Sequence, residues 1–237
     1  MPSVQIGDID AYYEIHGDGP PLVLVGGLGV DVAASASFTS RLAHDFRVLT
    51  FDNRRAGNTD DPGAPYSIPM MAEDTLGLMD ELGIGRAHLV GASLGGQIAM
   101  EIAAAFPERV DRLVLVSTAA TGTSRLRGTP PARLVGIAKH LHLLPGAAHQ
   151  QPDFARRRQL AASAAYDGSE RLGVVNAPTL ILHARNDRNV APAAALATRI
   201  GIRDAQIEFF RGGHMFFVSS QRDAVAARIE EFLTDDA

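Results

Sequence analysis

The sequence contains no cysteine and no tryptophan. Without thiols it can form neither disulfides nor thiolate metal sites. It has no basic excess either: 22 lysines and arginines face 27 acidic residues, a net charge of -5 at pH 7. That balance argues against a nucleic-acid partner, which needs positive charge to neutralise phosphates. No stretch approaches the roughly 20 apolar residues of a membrane span. Residues 1–10 lack the basic and then apolar order of a secretion signal, so a cytoplasmic protein without a membrane partner is expected. There is no internal repeat and no low-complexity tract. What remains is a chain of 237 residues, 46% hydrophobic and 21% charged, enough for one α/β domain with a sizeable core.

Turn and periodicity signals divide the chain. Residues 4–6 and 11–16 flank Gly7-Asp8 as a hairpin, and Gly17-Asp18-Gly19-Pro20-Pro21 breaks it off. Leu22 to Val25 is continuously apolar, as a strand covered on both faces must be, and runs into Gly26-Gly27-Leu28-Gly29. Arg47 to Phe51 is a second short strand. Ile68 to Leu82 carries apolar residues at helical spacing and stops at Gly83 and Gly85. Further strands are expected at 87–90, 112–117, 178–183 and 205–210, with helices at 98–106, 192–200 and 222–233. Strands alternating with helices predict a mostly parallel, twisted sheet covered on both faces.

One stretch carries a chemical signal. Gly91-Ala92-Ser93-Leu94-Gly95 lies between a strand and a helix, and a turn that sharp pushes the central side chain outward while requiring small neighbours, here Gly91, Ala92, Gly95 and Gly96. Ser93 then stands at the strand tip, facing the unpaired amides and positive dipole end of the following helix. A serine hydroxyl needs a base, usually a histidine held by a carboxylate. Parallel strands end on one edge of the sheet, so loops following them converge there. Asp187 follows the strand at 178–183 and His214 follows the strand at 205–210. Asp204 and Asp223 are alternatives for the acid, whereas Ser117, Thr118 and Ala119 offer none.

The order Ser93, Asp187, His214, together with the elbow, the loop from Phe51 to Asp60 and the last helix, resembles the α/β-hydrolase superfamily, in its group of small esterases, lactonases and C-C bond hydrolases. The resemblance covers nearly the whole chain. It implies Ser93 as nucleophile, His214 as general base and then acid, Asp187 as the group orienting the imidazolium, and the amides of Leu28 and Leu94 as oxyanion donors. No cofactor or metal is implied. Two departures stand out. Gly26 replaces the histidine usual in the oxyanion loop, removing a side chain that buttresses it. Arg55 stands where the family normally has glycine, which means either a strained positive φ or, as expected here, a shifted loop.

Residues 120–172 interrupt the alternation, with helical patterns at 132–144 and 153–165, and are expected to form a helical cap inserted after the sixth strand, the core being 1–119 and 173–237. The cap carries eight basic against three acidic residues, net +5, leaving -10 for the remainder. Its apolar positions (Leu134, Ile137, Leu141, Leu143, Leu144, Phe154, Leu160) alternate with arginines that could draw an anionic or carrier-linked small-molecule substrate. A serine nucleophile argues against dehalogenases and epoxide hydrolases, which in this fold use aspartate. Hydrolysis of a carboxylic ester or lactone, or a thioester, is the expected activity. A C-C bond hydrolase, a lyase or cyclase of secondary metabolism, and a ligand-binding homologue without turnover are the rivals. His16, His44, His88 and His183 fall at strand or helix positions and read as structural; His140, His142 and His149 are too scattered for a metal site.

Overall fold

The computed structural model describes residues 2–60, 63, 65–122, 148–219 and 221–235. Eight strands form one sheet in the order β1-β2-β4-β3-β5-β6-β7-β8: β1 (Ser3–Ile6), β2 (Ile9–His16), β3 (Pro21–Val25), β4 (Arg47–Phe51), β5 (Ala87–Ala92), β6 (Val110–Val116), β7 (Thr179–Ala184) and β8 (Ala205–Phe210). The pairings β1–β2 and β2–β4 are antiparallel and the rest parallel. The apolar strands alternate between two cores because successive side chains point to opposite faces. Val23, Val25, Leu49, Leu89, Leu115 and Ile181 enter one core, while Leu22, Leu24, Val48, Val90, Val116 and Leu182 enter the other.

Helices α2 (Ile68–Glu81), α3 (Leu94–Ala105) and α5 (Pro192–Gly201) cover the first face; α1 (Val32–Leu42) and α6 (Arg222–Thr234) cover the second. The helix α1 is absent from the expectations above, because its run of Ala, Ser and Thr leaves only Val32, Phe38, Thr39 and Leu42 buried. Its start is fixed instead by Asp31, whose carboxylate accepts the Ala34 amide at 2.9 Å, a capping bond that satisfies one otherwise orphaned donor.

From β3 the chain moves outward to β4, then returns past β3 to build β5 and onward in the other direction. That reversal places the loops after β3 and β5 side by side, where open α/β sheets bind ligands. Between β6 and β7 lie helix α4 (Asp153–Ala165), a bridge pairing Thr121 with Asp167, and a 3-10 turn at Ser169–Val174. The expected helix at 132–144, with Arg125, Arg127, Arg133, Leu134, Ile137, His140, Leu141, His142, Leu143 and Leu144, lies outside the described residues. No helix of the described residues is long and apolar enough to cross a membrane.

Candidate active site

Ser93 has φ 52 and ψ -115, a conformation a non-glycine residue holds only where surrounding structure imposes it. The imposition comes from both sides. Its amide donates to Val116 O on β6 at 2.9 Å, and its carbonyl accepts from the Thr118 hydroxyl at 2.8 Å. Gly95 is required by proximity, since a Cβ there would strike the backbone carbonyl of Val25. Although Ser93 occupies the N-cap of α3, its side chain makes no capping bond. The hydroxyl is therefore free to face His214.

His214 Nε2 lies 3.0 Å from Ser93 Oγ, and His214 Nδ1 lies 2.8 Å from Asp187 Oδ2. With Nδ1–H donated to the carboxylate, Nε2 is left to accept the serine proton. Asp187 is buried, and its Oδ1 accepts the amides of Asn189 at 2.8 Å and Val190 at 3.0 Å. Burial works against its charge, but the hydrogen bond and charge of His214 and these two amides outweigh it and hold the carboxyl below the ordinary value. Asp187 thus stays ionised beside His214.

The other carboxylate candidates are excluded by position. Asp204 is exposed and precedes β8, at the opposite edge of the sheet from Ser93, and Asp223 lies on α6 pairing with the adjacent Arg222. His183 is fully buried, with Nε2 donating to Val190 O at 3.0 Å, and burial lowers its pKa. It supports the Asp187 loop rather than reacting. His88 sits edge-on to Phe46, while His44 is exposed in the turn after α1 and not in a regular element. Among the described residues no three His, Cys, Asp or Glu side chains gather as metal ligands.

Two hydroxyls, those of Ser117 and Thr118, hold the site together. Ser117 donates to the His214 carbonyl at 2.8 Å from a positive φ of 49, next to Thr118. Their offer of no carboxylate was legible; their role as backbone anchors was not, because it depends on which loops lie within reach. Arg55 has φ 56, so the loop after β4 is not shifted as expected. The strain is held by neighbours: Arg54, 4% exposed, grips Asp74 at 2.6 Å and Asp8 at 2.8 Å, and Asp52 accepts the amides of Val32 and Asn58, each at 2.7 Å.

Ser93 and His214 open into a cavity of about 130 Å³. Leu28 and Leu94 line it, as do Leu24, Val90 and Val116 from the sheet, Phe38 from α1, Phe217 beyond His214, and Leu160 and Ser163 from α4. His214 is the one ionisable side chain among the described lining residues. Arg156, Arg157 and Arg158 do not line it; Arg156 pairs with Asp153, and Arg158 lies over the rings of Tyr66 and Phe154.

A family model described as the alpha/beta hydrolase fold matches residues 20–141. The chain belongs to the α/β-hydrolase family. A relative from Azorhizobium caulinodans, provisionally named carbamate hydrolase RutD, is 31% identical over 244 aligned residues, covering 91% of this chain and 92% of that protein. The poly(3-hydroxyalkanoate) depolymerase of Ectopseudomonas oleovorans is 27% identical over 91% of this chain and 85% of its own. The crystal structure of the enol-lactonase from Burkholderia xenovorans LB400 superposes with a TM-score of 0.86 at 24% identity, covering 99% of this chain and 100% of that one. It shows the shared α/β-hydrolase fold. Together the family and its curated relatives support a hydrolase.

Proposed function

We propose that this α/β hydrolase cleaves a carboxylic ester or lactone of small, apolar acyl portion through an acyl-enzyme on Ser93. The observation that carries the reading is the continuous relay from Asp187 through His214 to a Ser93 hydroxyl that no other described residue engages, opening into a cavity whose described lining holds no Asp, Glu, Lys or Arg. Ser93 Oγ passes its proton to His214 Nε2 and attacks the carbonyl carbon; Asp187 stabilises the imidazolium. The amides of Leu28 and Leu94 receive the oxyanion, a contribution of about 3 to 4 kcal/mol per donor. His214 then returns the proton to the leaving alkoxide, and water, deprotonated by the same nitrogen, releases the acid. A cavity near 130 Å³ compares with an apolar void of about 150 Å³ that holds benzene, which favours a short acyl chain or a lactone ring.

In the same reading residues 120–172 form the cap over a core of 1–119 and 173–237. The cap arginines would act on capture of an anionic or carrier-linked substrate outside the cavity, not on the chemistry inside it. A panel of p-nitrophenyl esters of increasing acyl length, with lactones alongside, tests the proposal. Turnover of short esters by wild type and its loss in Ser93→Ala are expected. Hydrolysis that survives in folded Ser93→Ala protein would refute it.

A further inference from the structure

The loop after β3 must hold the Leu28 amide toward the oxyanion, yet glycine at 26 offers no side chain at that position to brace it. The bracing comes from elsewhere. Leu28 lies between two peptide units. The first is fixed within the loop, where Val30 N–H donates to Gly27 O at 3.2 Å. The second ends at Gly29 N–H, which donates at 3.0 Å to Oε1 of Gln159 on α4. Gln159 is fully buried, and its Nε2 donates at 3.0 Å to the carbonyl of Arg54 in the loop after β4. An amide N–H can only donate and a carbonyl only accept, so the carboxamide has one workable orientation. Position 29 takes glycine because φ is +65 there and because a Cβ would meet Oε1 of a second glutamine, Gln151, at 2.8 Å. A second tie runs from buried Asp31, whose Oδ2 accepts the amides of Ala148 and His149, each at 2.9 Å.

We infer that Gln159 is a positioning residue for the oxyanion site: from α4 its carboxamide fixes the peptide after Leu28 and so holds the turn that carries the Leu28 amide. The inference rests on the proposed ester chemistry at Ser93. Holding the Gly29 amide fixes the turn closed by Val30 N–H on Gly27 O, and that turn carries the peptide bearing the Leu28 N–H.

The test compares wild type with Gln159→Met, which keeps length and removes both bonds, and Gln159→Glu, which keeps the acceptor for Gly29 but turns an oxygen toward Arg54 O. Wild-type turnover of a short p-nitrophenyl ester and labelling by a fluorophosphonate are measured first. Their absence would sink the reading of the site, and this inference with it. Given an active wild type, kcat of Gln159→Met should fall about 10- to 100-fold with KM little changed, because the lost bonds matter in the transition state. Affinity for a trifluoromethyl ketone, whose adduct with a serine carries the oxyanion, should fall by the same factor. If Gln159→Met does not fold, Gln159→Glu carries the test, with kcat and ketone affinity again falling together. Unchanged kcat in a folded variant, or a loss confined to KM, would overturn the role of Gln159 while leaving Ser93 in place.

Discussion

Replacing Asp187 by asparagine should nearly abolish turnover, for a reason that lies in the backbone around it. Two amides, those of Asn189 and Val190, point at Oδ1, while Oδ2 faces His214 Nδ1. In Asp187→Asn the side-chain oxygen must stay with the two amides, since the opposite orientation would set an NH2 against two N–H donors. The NH2 therefore faces His214 and donates to Nδ1. The imidazole is driven into the tautomer with its proton on Nε2, and the nitrogen that should accept from Ser93 becomes a donor. The buried charge that stabilises imidazolium is lost at the same step. The expected fall in kcat is about 10⁴-fold, or roughly 5.4 kcal/mol of barrier. Initial rates with a short p-nitrophenyl ester measure it, with Asp204→Asn as a control far from the relay. Activity of Asp187→Asn within tenfold of wild type would refute both the orientation argument and the role of this carboxylate.

Burial pushes the Asp52 carboxyl up to about 6, although the amides of Asn58 and Val32 donate to it. The folded state then keeps a proton that the unfolded chain gives up earlier, so the stability this group contributes is present below about pH 4 and lost as pH rises through 6. Measured against Asp52→Asn by denaturation, wild type should lose up to about 3 kcal/mol between pH 4 and pH 7; a constant difference would contradict the shift. Gly95→Ala should lower stability by about 1 to 3 kcal/mol and depress activity, because the added methyl pushes the elbow away from the end of β3; a thermal melt alongside a rate assay checks both. If the cap arginines steer substrate, kcat/KM for a carboxylate-bearing ester should fall with added salt and on charge reversal at Arg157, with a neutral ester unaffected, since charges separated by more than about 8 Å are screened at physiological ionic strength. Equal salt dependence for both substrates would assign those arginines to solvation of the helix.

The parts of the fold that could be read from the sequence are those where one local rule suffices. Buried parallel strands such as Leu22 to Val25 announce themselves as continuous apolar runs, and the elbow at Ser93 by its glycines. Asp187 and His214 followed from strand order, because parallel strands deliver their loops to one edge. The helix α1 stayed hidden, since few of its residues are buried and its cap, Asp31, looks like any loop aspartate. Gln159 was invisible for a different reason: a glutamine inside an arginine-rich helix carries no mark of the two loops it bridges, which come from residues 29 and 54. Likewise the positive φ of Arg55 depends on the grip of Asp74 and Asp8 on its neighbour Arg54, and only the tertiary structure brings those acids together.

The central claim, that Ser93 is activated by His214 to form an acyl-enzyme, is tested most directly by the mass of the intact protein after brief reaction with a fluorophosphonate, followed by mapping of the adduct. One phosphonyl group on the peptide containing Ser93, absent from Ser93→Ala and strongly slowed in His214→Ala, is the predicted result. A folded wild-type protein that takes up no label, or takes it up at another residue, would contradict it.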